Sequence, residues 1–336
     1  MLTPQESEAL FATLRTMAGE GRTVIFISHK LQEVKAVSDR VTVLRNGRRV
    51  ATLATADAGP RELAALMVGR EVELARRVER SSPPREDAAL HVDGLCVPGD
   101  RGEEAVRNVA LTVRRGEIVG IAGVAGNGQR ELAEAITGMR TPSTGVVYVD
   151  DRKLRSGDPR AAIGAGIAHV PEDRLGTGVA ASLSVAENSV LKSYRGRGVS
   201  RGPLLNWRVI RQRARDLVAH YGVATPGTAT RARDLSGGNL QKLVLGREFS
   251  GDPKVLIAAS PTRGLDVGAI ETVHAYLRQA AESGVAVLLI SEDLDEILAL
   301  ADRILVLYEG QLTGTFDPGT ATVQEIGLAM AGGEAP

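Results

Sequence analysis

The sequence contains little cysteine, few aromatic residues and no surplus of either charge. Its single cysteine, Cys96, excludes a disulfide framework and a thiolate metal site. Aromatic residues make up only 3%, so the core has to be built from valine, leucine, isoleucine and alanine. The 41 lysines and arginines are balanced by 41 aspartates and glutamates, which gives no reason to expect a nucleic-acid partner held by net charge.

Long apolar runs and a secretory leader are missing as well. The longest aliphatic runs, such as VAVLLI at 285–290, span about six residues, whereas a membrane-spanning helix needs about 20. The residues MLTPQESEAL lack the basic and apolar regions of a signal peptide. We therefore expect a chain that does not itself cross a bilayer.

The sequence repeats itself. Residues 2–52 align with residues 265–315 at a constant offset of 263, without gaps, and 19 of the 51 positions are identical. Roughly three identities would be expected by chance at ordinary compositions. The shared pattern predicts a helix, a buried strand (VIFIS and VLLIS), an amphipathic helix and a second strand in each copy.

The repeat predicts a division of the chain into domains. We expect residues 1–75 to be the C-terminal part of a first domain, residues 76–88 to be a linker containing ERSSPPRED, and residues 89–332 to be a complete second copy. The alternative is a stray strand–helix–strand unit at the N-terminus. On the first interpretation the chain is N-terminally truncated, for instance by a start codon assigned inside a longer reading frame.

A glycine-rich loop follows an apolar strand at Ile118–Ala122. It reads GVAGNGQREL at 123–132, and its glycines let backbone N–H groups approach phosphates at the start of a helix from Gln129. The phosphate-loop pattern G-x-x-x-x-G-K-[ST] is met at Gly123 and Gly128 and missed at Gln129 and Arg130. Taken alone, the loop is equally compatible with an ordinary strand-to-helix turn.

Four further motifs follow the loop in a fixed order: HVPEDR at 169–174, DLSGGNLQK at 234–242, VLIAASPTRGLDVG at 255–268 and ISEDL at 290–294. Together they resemble the ATPase domains of the ATP-binding cassette (ABC) family, whose signature motif is LSGGQ or a close variant. The resemblance covers essentially the whole chain. It implies an α/β, P-loop NTPase-like domain with a mainly helical subdomain, here about 152–232, and a small antiparallel β part.

The resemblance also implies the ligand and the residues that contact it. In this family two ATPase domains enclose ATP between the phosphate loop of one and the signature motif of the other. The residues expected to bind ATP are Gly123, Gly126, Asn127, Gly128, Gln129, Arg130, Ser236, Gly237, Gly238 and Asn239. Glu172 takes the place of the family's loop glutamine, and Asp266 lies in the loop where the two domains communicate.

Several chemical groups of such a site are replaced in the second copy. The magnesium-binding aspartate, the catalytic glutamate and the switch histidine of the family fall on Ala259, Ser260 and Glu292, whereas the first copy has His29 at the switch position. We expect no metal in the second-copy site and Mg²⁺ only at the first-domain site. Arg130 either partly replaces the phosphate-binding lysine or is an exposed arginine of the first helical turn.

The pattern resembles the fused, two-domain ATP-binding subunits of simple-sugar and nucleoside importers, and within them the nucleoside branch associated with basic membrane lipoproteins. We expect a transport-coupled ATPase in the full assembly and an inactive chain by itself. The implied partners are integral membrane permease subunits and, through them, a substrate-binding lipoprotein, with no nucleic acid. The implied location is the cytoplasmic face of the membrane. The alternatives are a non-transport ABC protein acting on ribosomes or DNA and an inactive fragment or scaffold.

Overall fold

The computed structural model describes residues 4–28, 31–45, 47–68, 83–196 and 198–333. These residues fall into two compact units, one within 1–76 and 265–272 and the other within 77–264 and 273–336. His29 and residues 76–82 of the predicted linker lie outside the described residues. No helix in the described ranges is long and apolar enough to span a membrane.

The smaller unit contains three helices and an antiparallel pair of strands among its described residues up to position 68. In chain order these are α1 (Pro4–Gly19), α2 (Leu31–Val37), β1 (Arg40–Arg45), β2 (Arg48–Ala54) and α3 (Pro60–Val68). Val43, Ala58 and Leu63 form its buried core. Val43 is buried on β1, so the hairpin is covered on one side by α3.

The strand predicted over VIFIS is wrong for the first copy. Residues 22–28 have no strand structure, and Ile25 and Ile27 are 88% and 92% exposed. In the second copy the equivalent segment pairs on both sides with residues 118–122 and 255–259. At the repeat offset of 263 those two strands have no counterpart in this sequence, so VIFIS has no neighbours with which to form a ladder.

The larger unit contains twelve strands in its described part. They are β3 (Ala88–Pro98), β4 (Glu104–Arg114), β5 (Ile118–Ala122), β6 (Thr144–Val149), β7 (Arg152–Lys153), β8 (Ile167–Val170), β9 (Ser200–Arg201), β10 (Leu204–Leu205), β11 (Val255–Ala259), β12 (Ala286–Ser291), β13 (Arg303–Tyr308) and β14 (Gln311–Phe316). One sheet has the order β14-β13-β5-β12-β11-β8, parallel except for β14, and a second, antiparallel sheet has the order β4-β3-β6-β7. β9 and β10 form a separate two-stranded hairpin.

The central strands of the six-stranded sheet are buried at every position. β5, β11 and β12 read IVGIA, VLIAA and AVLLIS, the continuous apolar pattern of parallel strands covered on both faces. The edge strand β14 alternates exposed and half-buried residues because only one of its faces is covered. One apolar core joins residues from both sheets.

Helices pack on the sheets. They are α4 (Gln129–Ile136), α5 (Pro159–Ala165), α6 (Val185–Ser189), α7 (Trp207–His220), α8 (Gly237–Phe249), α9 (Val267–Glu282), α10 (Leu294–Leu300) and α11 (Val323–Met330). Three of them, α6, α7 and α8, lie in the segment of chain between β8 and β11. A π-helical turn over Arg174–Gly178 follows β8. Val199, just before β9, packs against Val190 at the end of α6 and against Ile210 and Ala214 of α7.

The glycine-rich loop touches the antiparallel sheet at one point. Gly128 has φ of 98°, and a Cβ placed on it would lie 2.2 Å from the carbonyl oxygen of Ala105, at the start of β4. Gly126 has a similar φ of 92°, but a Cβ on it would meet open space. The close approach at Gly128 therefore fixes the loop against β4.

We expect Gly128→Ala to destabilise the chain more than Gly126→Ala does. Both substitutions force alanine into the left-handed region, at about 1–2 kcal/mol, but only Gly128→Ala also drives a methyl group into backbone. Urea unfolding of the two variants measures the difference directly. Equal losses of unfolding free energy would show that the contact with Ala105 does not hold the loop.

Candidate functional site

A cavity of about 610 Å³ lies at the carboxyl ends of the central parallel strands. It brings together sequence-predicted residues that are up to 166 positions apart. Those lining it are Gly126, Gln129, Arg130, Glu172, Ala259, Ser260 and Glu292. The loop after β5, the start of α4 and the segments after β8, β11 and β12 thus meet around one space, because the carboxyl ends of parallel strands share an edge of the sheet.

The side chain of Gln129 is folded into the loop. Its Nε2 donates to the carbonyl oxygen of Val124 at 2.9 Å, and only 9% of the residue is exposed. A Cβ on Gly123 would lie 2.5 Å from the same nitrogen, so the amide fills the base of the loop. Gln129 stands where the pattern has its phosphate-binding lysine, and its side chain is hydrogen bonded to the loop's own backbone.

Asn127 holds the loop in a similar way. Its backbone N–H and its Nδ2 both donate to the Val124 carbonyl, at 3.3 and 3.0 Å. Its Oδ1 accepts from the backbone N–H of Glu309 at 2.8 Å, which ties the loop to the turn between β13 and β14. The amide side chains of Asn127 and Gln129 thus satisfy one carbonyl together.

Arg130 is engaged by carboxylates at the mouth of the cavity. Its guanidinium pairs with Asp100 and with Glu131, the latter at 3.0 Å. Arg140 also pairs with Asp100, at 2.7 Å, and the two arginines hold the pKa of that carboxyl below its usual range. The hydrogen bonds that Arg130 donates, first to Asp100 and then to Glu131, raise the pKa of Arg130. This geometry places Arg130 as an exposed arginine of the first helical turn.

The end of β11 carries no carboxylate. Ala259 is the last residue of the strand, and Ser260 follows it with φ of 42°, a left-handed conformation that non-glycine residues adopt only at a cost of about 1–3 kcal/mol. The backbone N–H of Ser260 donates to the Ile290 carbonyl on β12 at 2.7 Å, which holds it there. Neither residue supplies a carboxylate to hold Mg²⁺ or to act as a base for water. In the described ranges no three His, Cys, Asp or Glu side chains surround a metal position.

The charges that line the cavity are mainly negative. Five carboxylates, those of Glu131, Glu134, Glu172, Asp173 and Glu292, face two guanidiniums, those of Arg130 and Arg263. Glu172 is itself paired with Arg263, and Arg174 donates to the carbonyl of Arg263. The segment after β8 is thus bound to the segment after β11.

The signature residues are not among those that line this cavity, which holds for Ser236, Gly237, Gly238 and Asn239 alike. Ser236 precedes α8 as its N-cap, and the two glycines begin the helix. Asn239 donates from Nδ2 to the Oγ of Ser236 at 2.8 Å and accepts from the backbone N–H of Ala224 at 2.8 Å. The backbone N–H groups at this helix start are the kind of group that binds phosphate oxygens.

Of the remaining predicted residues, Asp266 lies in the smaller unit and His29 is outside the described residues. Asp266 accepts from the backbone N–H of Ala269 at 2.8 Å and so caps the start of α9.

A buried polar network at the base of the cavity was not predicted from the sequence. Glu296 accepts from the Oγ1 of Thr262 and from the Oγ of Ser291, each at 2.7 Å, and the Nε2 of His274 lies 3.3 Å away. Ser28 and Glu33 are the equivalents of Ser291 and Glu296 in the first copy, and they hydrogen bond at 2.6 Å. The signal was available, because both residues are identical at the repeat offset.

His169 on β8 is a second residue to which the sequence analysis gave no role. It lines the cavity, and burial lowers its pKa to about 4. Its backbone N–H donates to Glu248 at 2.9 Å. Burial alone would raise the pKa of Glu248, but Lys192 and Arg247 hold it below its usual value. An ionised, paired carboxylate therefore lies beneath a neutral histidine.

Comparison with known proteins identifies relatives of this chain. Residues 106–263 match the protein family described as "ABC transporter". The chain is 48% identical to the glucose import ATP-binding protein of Haloferax volcanii, covering 99% of this chain and 60% of the relative. It is 44% identical to the guanosine import ATP-binding protein of Bacillus subtilis, covering 99% and 65%. The nucleoside import ATP-binding protein of Lactococcus lactis subsp. cremoris is 41% identical, again over 99% and 65%. The chain thus spans 60–65% of the length of these curated relatives.

Solved structures show the fold. A dimeric bacterial ABC transporter cassette has a TM-score of 0.59 and 23% identity, covering 68% of this chain and 98% of that one. A nucleotide-free ATP-binding cassette from an ABC transporter has a TM-score of 0.57 and 19% identity, covering 69% and 92%. The predicted fold class, the α/β P-loop ATPase fold of ABC cassettes, is confirmed.

We expect His169 to make the stability of the chain fall as the pH drops from about 6.5 towards 4. The unfolded state takes up a proton near pH 6.5, while the folded state does not do so until about pH 4. Between pH 7.5 and pH 5 this costs about 2 kcal/mol. Urea unfolding at both pH values measures this loss of unfolding free energy, and it should be correspondingly smaller in His169→Gln than in the native chain. In His220→Gln, an exposed control, the loss should be as large as in the native chain. An unchanged pH dependence in His169→Gln would contradict the assignment.

Proposed function

We propose that this chain is part of an ATP-binding protein of an ABC transporter and that it energises the uptake of nucleosides or simple sugars. The relatives named for import of glucose, guanosine and nucleosides support both substrate classes, and the loop sequence GNGQREL favours the nucleoside branch. The observation that carries the proposal is the composition of the cavity described above. It is formed by the predicted phosphate loop and by the segments after β8, β11 and β12, which supports a nucleotide site here, and no carboxylate stands at Ala259 or Ser260.

We further propose that the site of the second copy is degenerate. Phosphoryl transfer depends on positioning and on neutralisation of the charge of the phosphates. Here Gln129 donates to the loop itself, Arg130 is paired with Asp100, and Ala259 and Ser260 replace the acidic residues. The surplus of carboxylates around the cavity works in the same direction.

The signature motif is proposed to serve a different site. Ser236, Gly237 and Gly238 keep the residue types that bind a γ-phosphate from a helix start, and they are not among the residues that line the degenerate cavity. In a fused protein of two ATPase domains they would complete the competent site of the first domain, to which His29 and Mg²⁺ belong. The repeat of 2–52 in 265–315 supports such a fusion.

The proposed partners follow from the transport role. The described part of the chain offers no membrane-spanning helix, so translocation requires separate permease subunits, and a substrate-binding lipoprotein would deliver substrate to them. The chain would act at the cytoplasmic face of the membrane.

We expect the purified chain alone to release phosphate from ATP no faster than the buffer does. Ala259 and Ser260, at the end of β11, provide no carboxylate for the general base that the family resemblance places there. A phosphate-release assay with Mg²⁺, on protein shown by circular dichroism to be folded, tests this. Steady hydrolysis that scales with the concentration of the chain would contradict the degenerate site.

We expect Gln129→Lys to tighten ATP binding roughly 10-fold or more, because a charge-assisted hydrogen bond is worth about 1.5–3 kcal/mol. The change also frees the loop from the amide that now fills it. Titration calorimetry with ATP measures the affinity. Gln212→Lys, on the exposed face of α7, adds the same charge elsewhere and is the control. An equal gain in both variants would show that only net charge has changed.

A further inference from the structure

The segment between α6 and the middle of α7 is strongly basic in a chain that is neutral overall. Residues 188–215 contain eight lysines and arginines and no aspartate or glutamate. In the part of this segment that the structure describes, Arg195, Arg201, Arg208 and Arg211 are exposed and form no ion pair with an acidic side chain. Their positive charge is therefore not neutralised within the described chain.

The hairpin of β9 and β10 is exposed on both of its faces. Leu204, which pairs with Arg201 in the ladder, is 73% exposed, and its strand neighbour Leu205, which points to the opposite face, is also exposed. Only its base is anchored, where Val199 is buried and accepts a hydrogen bond from the backbone N–H of Asn206 at 2.8 Å. Both faces of the hairpin tip are thus open.

Aromatic residues flank this tip. Trp207, the first residue of α7, is 44% exposed, and Tyr194 is exposed with the guanidinium of Arg195 lying 5.3 Å from its ring centre. At 100° per residue, Trp207, Arg208, Arg211 and Arg215 fall within about 100° of the circumference of α7. The adjoining side of the helix, next to Trp207, is buried through Ile210, Ala214 and Leu217.

From these observations we propose that residues 194–196 and 198–211, the basic hairpin surface, bind the surface of an anionic lipid bilayer. Exposed leucines on both faces of the hairpin tip suit a medium that surrounds the tip, and tryptophan and tyrosine are the aromatic residues enriched at the membrane–water interface. Unpaired arginines around them attract anionic headgroups. A nucleic acid would satisfy the arginines but would leave the leucines in water, so the lipid surface is the better fit.

Trp207 provides a direct test because it is the only tryptophan of the chain. The purified chain is titrated with vesicles of phosphatidylcholine and phosphatidylglycerol in equal parts, and with vesicles of phosphatidylcholine alone. We expect the tryptophan emission to shift to the blue, and the chain to float with the vesicles, only with the anionic mixture. Lipids brominated on their acyl chains should quench this emission, a readout that needs no variant.

Variants separate the two contributions. Arg201→Gln combined with Arg208→Gln should weaken partitioning roughly 30-fold, from about 1 kcal/mol per arginine near an anionic surface. Leu204→Ser combined with Leu205→Ser should abolish the blue shift. Arg155→Gln combined with Leu328→Ser removes an equally exposed pair elsewhere and should change neither readout.

Three results would overturn the proposal: no binding to anionic vesicles, equal binding to phosphatidylcholine alone, or full binding by the double arginine variant. Binding of polyuridylate that displaces the vesicles without a blue shift of Trp207 would assign the surface to a nucleic acid instead. The vesicle assay contains no nucleotide, so its outcome is independent of the proposed ATPase role.

Discussion

The burial of β5, β12 and β11 on both faces is the constraint on which the rest of the larger unit depends. These strands must be parallel neighbours with helices and a second sheet covering them. Their carboxyl ends then lie along one edge, and the segments that follow them come together whatever side chains they carry. The position of the cavity therefore does not depend on whether carboxylates stand at positions 259 and 260.

Much of this could be predicted from the sequence. The strand at Ile118–Ala122, the loop after it and the helix from Gln129 were confirmed, because glycine spacing and an apolar run are local signals. The strand over VIFIS was wrong, since the pattern of one segment does not say whether its neighbouring strands are present. Burial of a strand is a property of the sheet and not of the strand.

The contacts inside the candidate site could not be predicted. Gln129 bonds the carbonyl of a residue five positions before it, which depends on how tightly the loop curves. Arg130 finds Asp100, thirty positions away in the turn after β3, and only the packing of two sheets brings them together. The sequence spacing predicts which side chains stand at the positions of the family's site residues. The tertiary structure shows which groups those side chains contact.

The pair Ser28–Glu33 and its equivalent Ser291–Glu296 has a consequence for how such a repeat diverges. The residue next to each serine differs between the copies, histidine in one and glutamate in the other, while the hydrogen bond is the same in both. The serine–glutamate bond therefore forms with either residue beside the serine. The fold of this turn and the chemistry of the neighbouring position rest on different side chains, so one of them can differ between the copies while the other is shared.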